Sequence, residues 1–111
     1  MKYIETFLLL AMAAGFAANA QAAGYIITAD MWMQPRSGQV MLQMPPVRAA
    51  VADWMKHPGS KLVILHSGDD EGSLWASEVQ DWLVSLGIPS SDISKQVSGQ
   101  DENSVTLQVT P

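Results

Sequence analysis

The hydrophobic and polar positions of this chain follow two periods, one typical of strands and one typical of helices. Residues 61–66 are a largely apolar run, which predicts a central strand covered on both faces. Residues 105–109 alternate apolar and polar side chains, which predicts a last strand with one buried face. Residues 25–33 are rich in aromatic and β-branched side chains, so we predict a first strand there. Residues 93–97 are predicted to be a third core strand.

The first helix is predicted to begin at Pro45, because proline fits the first turn of a helix, where its missing N–H removes no hydrogen bond. Apolar residues then recur every three or four positions, which is the period of a helix with one buried face. They are Val47, Ala50, Val51, Trp54 and Met55. Residues 57–59 end the helix, since Pro58 cannot continue it. Residues 40–44, just before it, are predicted to be a short second strand or an irregular lead-in.

The second helix is predicted between a polar loop at residues 67–72 and a stop at Gly87. Ser73 is expected to cap its N-terminus through its hydroxyl. Pro89 prevents the helix from continuing. The apolar positions share one face and are expected to point to the core. They are Trp75, Val79, Trp82, Leu83 and Leu86.

These elements give the order β(β)αβαββ. Both crossovers that contain a helix should be right-handed, which places the two helices on one face of a mixed sheet. We therefore predict a single small α/β (α+β) domain over residues 21–111, built as a two-layer αβ sandwich.

The N-terminal residues predict a secretory signal peptide over residues 1–20. Lys2 is followed by an apolar run at residues 6–18, which is too short to span a bilayer as a stable helix. The small residues around Ala20 favour cleavage after that position, with Ala22 as the alternative. The expected location is the periplasm, with no membrane anchor left after cleavage.

The net charge of the chain restricts its partners, and its cysteine content restricts how the domain can be stabilised. The chain has six Lys and Arg against eleven Asp and Glu, a formal net charge of −5. Nucleic acids and anionic lipids require a basic surface, so neither is an expected partner. There is no cysteine. A domain of this size without disulfides must be stabilised by its core alone.

A first candidate site follows the predicted central strand. Asp69, Asp70 and Glu71 could bind a cation or an amine, and Trp75 begins the next helix beside them. Two alternatives stay open for these residues. The acidic run is also typical of a solvated loop that favours a helix N-terminus, and Trp75 also fits the apolar stripe of the core.

A second candidate site is a methionine-rich segment. Met31, Met33, Met41 and Met44 lie within a short stretch, and thioether sulfur is a ligand that suits Cu(I). Alternation along a strand would place Met31 and Met33 on the same face, where they could also be core or interface residues.

Catalytic chemistry is not indicated by any motif. His66, Ser67 and Asp69 contain the residue types of a hydrolase triad, but adjacent strand residues point to opposite faces and cannot assemble one. Nucleophile elbows, phosphate-binding loops and dinucleotide fingerprints do not occur. We therefore predict a protein that is not an enzyme and has no cofactor.

Residues 47–93 resemble the OmpA-like domain, the peptidoglycan-associating module of outer-membrane protein A and related envelope proteins. The loop at residues 66–72 (HSGDDEG) resembles the family's G-H-T-D-x-x-G, and residues 79–88 (VQDWLVSLGI) resemble its second helix. The resemblance implies that Asp69 takes the place of the aspartate that binds the diaminopimelate ammonium of the stem peptide. Trp75 stands where the family has the arginine that binds the diaminopimelate carboxylate.

The combined expectation is an exported, non-catalytic binding module of the bacterial envelope. The expected partner is an envelope protein. The protein could also keep a residual association with the peptidoglycan stem peptide. The alternative is a periplasmic Cu(I)-binding protein that uses the methionine segment.

Overall fold

A computed structural model describes residues 24–99 and 102–111, and the predicted signal peptide lies outside these residues. The described strands are β1 (Tyr25–Thr28), β2 (Lys61–His66), β3 (Ile93–Val97) and β4 (Ser104–Thr110). The described helices are α1 (Ala29–Trp32), α2 (Gly38–Gln43), α3 (Pro45–Lys56) and α4 (Asp70–Ser85), and a 3-10 turn (Ser90–Asp92) precedes β3. The predicted fold class is confirmed, since the helices cover one face of a four-stranded mixed sheet in this part of the chain.

The sheet order is β1-β4-β2-β3. Strand β4 is antiparallel to both β1 and β2, whereas β2 and β3 are parallel. The register aligns apolar residues on the face that the helices cover. Leu107 lies beside Ile64 on β2, and Ile27 on β1 lies beside Val105. All four side chains are fully buried, which places the main core between the sheet and the helices.

Strand β2 is central, as predicted, but it is not covered on both faces. Leu62, Ile64 and His66 are buried beneath the helices, whereas Val63 and Leu65 on the opposite face are only half-buried. The apolar run at residues 61–66 therefore reflects a central position in a two-layer sandwich, and the prediction of two covered faces was wrong.

Strand β3 lies at the edge of the sheet, so the prediction of a third core strand was also wrong. Only Ile93 is buried, and the four residues that follow it are exposed. An edge strand has a neighbour on one side alone, and the polar residues 94–96 suit that position.

The predicted first strand ends at Thr28, five residues earlier than expected. The Thr28 hydroxyl accepts a hydrogen bond from the Met31 N–H at 3.3 Å and caps α1. The N–H of Ala29 donates to the carbonyl of Asn103 at 2.9 Å, which holds the start of α1 against the chain that leads into β4. Helical geometry then turns Trp32 into the core, where it is 8% exposed.

Residues 38–43 form α2, so the prediction of a strand or irregular segment at residues 40–44 was wrong. The Ser37 hydroxyl accepts a hydrogen bond from the Val40 N–H at 3.2 Å and caps this helix. Met41 and Met44, three residues apart, are both buried. This spacing is helical, and the segment is too short for its period to be recognised beside Pro45.

Helices α3 and α4 are confirmed, with one change at the start of α4. Asp69, and not Ser73, caps α4, which begins at Asp70. At the other end Gly87 has φ +107°, and the N–H of Ile88 donates to the carbonyl of Leu83 at 3.1 Å. This bonding pattern at a left-handed glycine is the predicted helix stop.

The core is one cluster of aliphatic and sulfur-containing side chains together with Trp32, and partly buried aliphatic and aromatic residues pack against it. Among the described helices, none is long and apolar enough to cross a membrane.

Candidate functional site

The acidic loop after β2 is organised around the carboxylate of Asp69. Its Oδ1 accepts a hydrogen bond from the Ser67 hydroxyl at 2.6 Å and another from the Gly72 N–H at 2.9 Å. The Ser67 bond and then the Gly72 bond favour the charged form and lower the pKa of Asp69 below its ordinary value. Two donors on one oxygen give Asp69 a structural role as the cap of α4.

Gly72 makes this cap possible because a larger residue would not fit. A Cβ at this position would meet the Ser67 hydroxyl, would lie 2.5 Å from the Ser67 carbonyl oxygen and would lie 2.7 Å from Asp69 Oδ1. The loop is therefore closed tightly over the helix N-terminus.

The other members of the predicted acidic site lie apart from this cap. Asp70 and Glu71 form the first turn of α4 and are exposed, where they suit the positive end of the helix dipole. Trp75 packs instead against Trp32, with ring centroids 6.2 Å apart and an angle of 43° between the rings. The predicted site residues therefore lie in three different places: a helix cap, a solvated first turn and an aromatic cluster.

Trp75 is half-buried and packs against the core, as its predicted place in the apolar stripe of α4 requires. Its Nε1 is shielded from solvent and has no hydrogen-bond acceptor in the described part of the chain. The residue contributes to packing between α1 and α4, and its unpaired N–H reduces that contribution.

A polar cluster of Trp32, Arg36 and Glu78, which we call the clasp, joins the end of α1 to the middle of α4. Trp32 Nε1–H donates to Glu78 Oε2 at 3.3 Å, and Arg36 Nη2 lies 3.7 Å from the same oxygen. Arg36 also donates through Nη1 to the Trp32 carbonyl at 2.6 Å, and its guanidinium lies 5.0 Å from the Trp32 ring. These contacts fix the segment that follows α1 against α4.

An open groove of about 610 Å³ lies beside this clasp, and we call it the Trp82 groove. Residues 33–36 form one side, and Glu78, Asp81 and Trp82 form the other. Met33 is 82% exposed and Trp82 is half-buried. The groove therefore presents an accessible thioether and an indole next to two carboxylates and the Arg36 guanidinium.

Sequence reasoning missed the Trp82 groove. The apolar stripe of α4 predicts that Trp82 is a core residue, and the predicted first strand contains Met33. The useful signal was the pair of acidic residues Glu78 and Asp81. They lie about one helical turn apart next to Trp82, at the exposed edge of the apolar stripe. The juxtaposition itself depends on α1, which the sequence did not predict.

The four methionines of the proposed Cu(I) site have different environments. Met41 and Met44 are core residues, Met31 is partly buried against the core, and Met33 is exposed. The premise that Met31 and Met33 share a strand face was wrong, since Met31 lies in α1. The described residues contain no group of three or more His, Cys, Asp or Glu that could hold a metal ion. The Cu(I) hypothesis stays a prediction.

The histidines take part in local hydrogen bonds. His66 is buried, and its Nδ1 lies 2.8 Å from the Ser67 carbonyl oxygen, so Nδ1 carries the hydrogen. His57 Nδ1 lies 3.0 Å from Asp53 Oδ1, and the Tyr25 hydroxyl donates to Asp53 Oδ2 at 2.9 Å. The bond to Asp53 raises the pKa of Tyr25. These contacts join β1 to α3.

The Trp82 groove and the capped acidic loop are thus the two surfaces on which function can be argued. Comparisons of this chain with protein-family models, with curated proteins and with solved structures found no match.

Proposed function

We propose that this protein is an exported, non-catalytic binding module of the bacterial envelope that holds a protein partner in the Trp82 groove. The observation that carries the proposal is the groove itself, where exposed Met33 and half-buried Trp82 lie next to Asp81. Tryptophan and methionine are enriched in the cores of protein interfaces, and tryptophan often contributes most to binding energy.

The shape of the groove favours a segment of a protein over a small molecule. Small-molecule sites usually enclose most of the ligand surface, whereas this groove is open along α4. The clasp of Trp32, Arg36 and Glu78 holds its two sides in place before binding. Side chains that are ordered before binding lose less entropy when a partner docks.

Site-specific photocrosslinking in cells that export the protein tests this function. A photoreactive amino acid replaces Met33 in the groove or Met55 on α3, both of which are exposed in the free protein. We expect a discrete adduct with one protein from position 33 and none from position 55. Mass spectrometry identifies the adduct, and titration of the purified partner with the purified protein measures the affinity.

Two results would contradict the proposed function. One is the same adducts from both positions, which would indicate random encounters. The other is a purified partner that binds an Asp81→Arg variant as tightly as the wild type, which would place its site elsewhere.

Sedimentation with purified peptidoglycan sacculi separates a protein partner from the cell wall. The resemblance to the OmpA-like domain makes Asp69 the residue through which wall peptide would bind. Because Asp69 is used as a helix cap, we expect little sedimentation and no difference for Asp69→Asn, which can keep the cap. Sedimentation that this variant loses would favour the peptidoglycan stem peptide as the ligand.

A further inference from the structure

We propose that the Trp82 groove binds a lysine or arginine side chain that the partner presents between apolar residues. This inference rests on the proposed function and adds the chemistry of the partner. The ligand is thus a basic, apolar-flanked protein segment. Its cation would lie beside Asp81, and its aliphatic stem would lie along Trp82 and Met33.

The charges on α4 favour a cationic ligand. The helix contains four acidic residues and no Lys or Arg within Asp70–Ser85, and the whole chain has a net charge of −5. Glu78 is already balanced by Arg36 at 3.7 Å. Within the described residues Asp81 has no ion-pair partner, although it lines the groove. The unpaired carboxylate attracts a positive group into the groove.

The apolar surfaces of the groove fit the rest of such a side chain. Lysine and arginine combine an aliphatic stem with a charged end, so they can cover apolar surface and keep the charge near water. A cation close to an indole ring gains further attraction from the ring electrons. Half-buried Trp82 supplies the exposed part of its ring, and Met33, 82% exposed, supplies a flexible apolar contact.

The protein already contains the arrangement that we propose for the groove. The Arg36 guanidinium lies 5.0 Å from the Trp32 ring and 3.7 Å from the Glu78 carboxylate. The groove repeats two parts of this trio, an indole and a carboxylate, in Trp82 and Asp81. Arg36 also lines the groove, but it is already engaged by Trp32 and Glu78, so a cation for Asp81 would come from the partner.

A second copy of this chain is a weaker candidate for the occupant. Helix α3 does expose Arg48, Met55 and Lys56. Two molecules that each have a net charge of −5 repel each other, however, whereas a basic partner is attracted at long range. We therefore assign the groove to a different protein.

Two matched blocked peptides test the inference on the purified exported protein. The first is acetyl-Ala-Leu-Lys-Leu-Ala-amide, and the second has norleucine in place of lysine, which keeps the four-carbon chain and removes the ammonium. NMR of the indole N–H signals reports binding at each tryptophan. We expect the lysine peptide to shift the signal of Trp82 and to leave that of Trp54 unchanged, since Trp54 lies on α3 and its Nε1–H donates to the Ser60 carbonyl.

The affinities decide between a charged and a purely apolar site. We expect the norleucine peptide to bind about tenfold more weakly, because it loses both the ion pair and the cation–ring contact. Asp81→Asn should weaken the lysine peptide about fivefold and leave the norleucine peptide unchanged. Asp70→Asn is the matched control, since Asp70 lies on the same helix about 16 Å away along the axis.

Equal affinity for the two peptides, or no shift at Trp82 with either, would overturn the inference. Self-association of the free protein that Lys56→Glu abolishes would also overturn it, by placing a second copy in the groove. None of these results would contradict the proposed function if Met33 still crosslinks to one partner, so the two can fail separately.

Discussion

At the scale of single residues, the acidic loop shows how a candidate binding group can serve the fold instead. Asp69 lies where the OmpA-like resemblance places a ligand-binding aspartate, yet its Oδ1 holds two donors of its own loop. In this loop the residue three positions later lies directly against Ser67, and Gly72 leaves the space that a side chain would fill. The identity of Gly72 is therefore explained by close approach and not by a ligand.

Substitution of Gly72 tests how closely this loop is packed. The Cβ of Gly72→Ala would meet the backbone and side chain of Ser67, so the loop must shift and the cap of α4 must loosen. We expect a loss of about 2 kcal/mol in the free energy of unfolding, measured by urea denaturation. Gly38→Ala is the control, because a Cβ there meets nothing within 4 Å, and it should change stability by less than about 0.5 kcal/mol. Similar losses in the two variants would contradict the close packing at Gly72.

The charge of Asp69 makes part of the stability dependent on pH. Hydrogen bonds from Ser67 and Gly72 hold the pKa of Asp69 below its ordinary value in the folded protein. The stabilisation is therefore complete above the unfolded-state pKa and is lost as the pH falls through the lower folded-state pKa. We expect Asp69→Asn to reduce the loss of stability below about pH 4, measured by urea denaturation at several pH values.

The hydroxyl of Ser73 provides the control for this pH dependence. Ser73 was predicted to cap α4, but the cap is Asp69. Ser73→Ala should therefore keep the pH profile of the wild type, whereas Ser67→Ala should change it in the same direction as Asp69→Asn. A profile that Asp69→Asn leaves unchanged would show that the two hydrogen bonds do not form in solution.

At the scale of elements, the sequence predicted the long helices and the central strand but not the connection between β1 and α3. Strand β2 and helices α3 and α4 have enough residues for their periods to be recognised, and their stops contain Pro58 and Gly87. Helices α1 and α2 are four and six residues long, which is too short for a helical period to be recognised. Caps at Thr28 and Ser37, together with packing on α4, decide their conformation.

The cap at Thr28 is expected to set the position of α1 and hence of one side of the Trp82 groove. Thr28→Val keeps the shape of the side chain but removes the acceptor for the Met31 N–H. We expect a loss of about 1 kcal/mol in the free energy of unfolding and a weaker near-UV circular dichroism signal from the Trp32 cluster. Thr110→Val at the end of β4 is the matched control and should leave both unchanged. A normal signal in Thr28→Val would mean that tertiary contacts alone hold α1.

The Trp82 groove could not be predicted from the sequence because it depends on α1, which the sequence did not predict. Trp82 and Asp81 are adjacent in the sequence, but the opposite side of the groove comes from residues 33–36, more than forty positions earlier. Only the helical turn at α1 brings Met33 and Arg36 to α4. A strand at residues 25–33, as predicted, would have carried Met33 past the start of β4 and left the groove with one side.

At the scale of the whole molecule, the two-layer architecture follows from a small number of long-range pairings. Strand β4 is the last element in the sequence, yet it lies between β1 and β2. The sequence indicated its alternation but not its partners, because the period of a strand carries no information about its neighbours. The edge position of β3 was missed for the same reason, although the exposed residues Ser94 and Lys95 are typical of an edge.

Hydrogen exchange should reveal this order as a gradient of local stability. Strands β2 and β4 each have two neighbours and contain buried Ile64 and Leu107, so their amides should exchange only through global unfolding. Strand β3 has one neighbour and a single buried residue, Ile93, so its end can open locally. We expect the amides at this end that donate to β2, such as that of Ser98 to the His66 carbonyl at 2.9 Å, to exchange at least about tenfold faster than those of β2, measured by NMR under native conditions.

The dependence on denaturant distinguishes local opening from global unfolding. Exchange of β3 amides should change little at low urea concentrations, because local opening exposes little surface, whereas exchange of β2 amides should accelerate steeply. Equal rates with the same steep dependence in both strands would show that β3 unfolds with the core. Ile93, the buried residue beside Leu62, would then stabilise the whole strand.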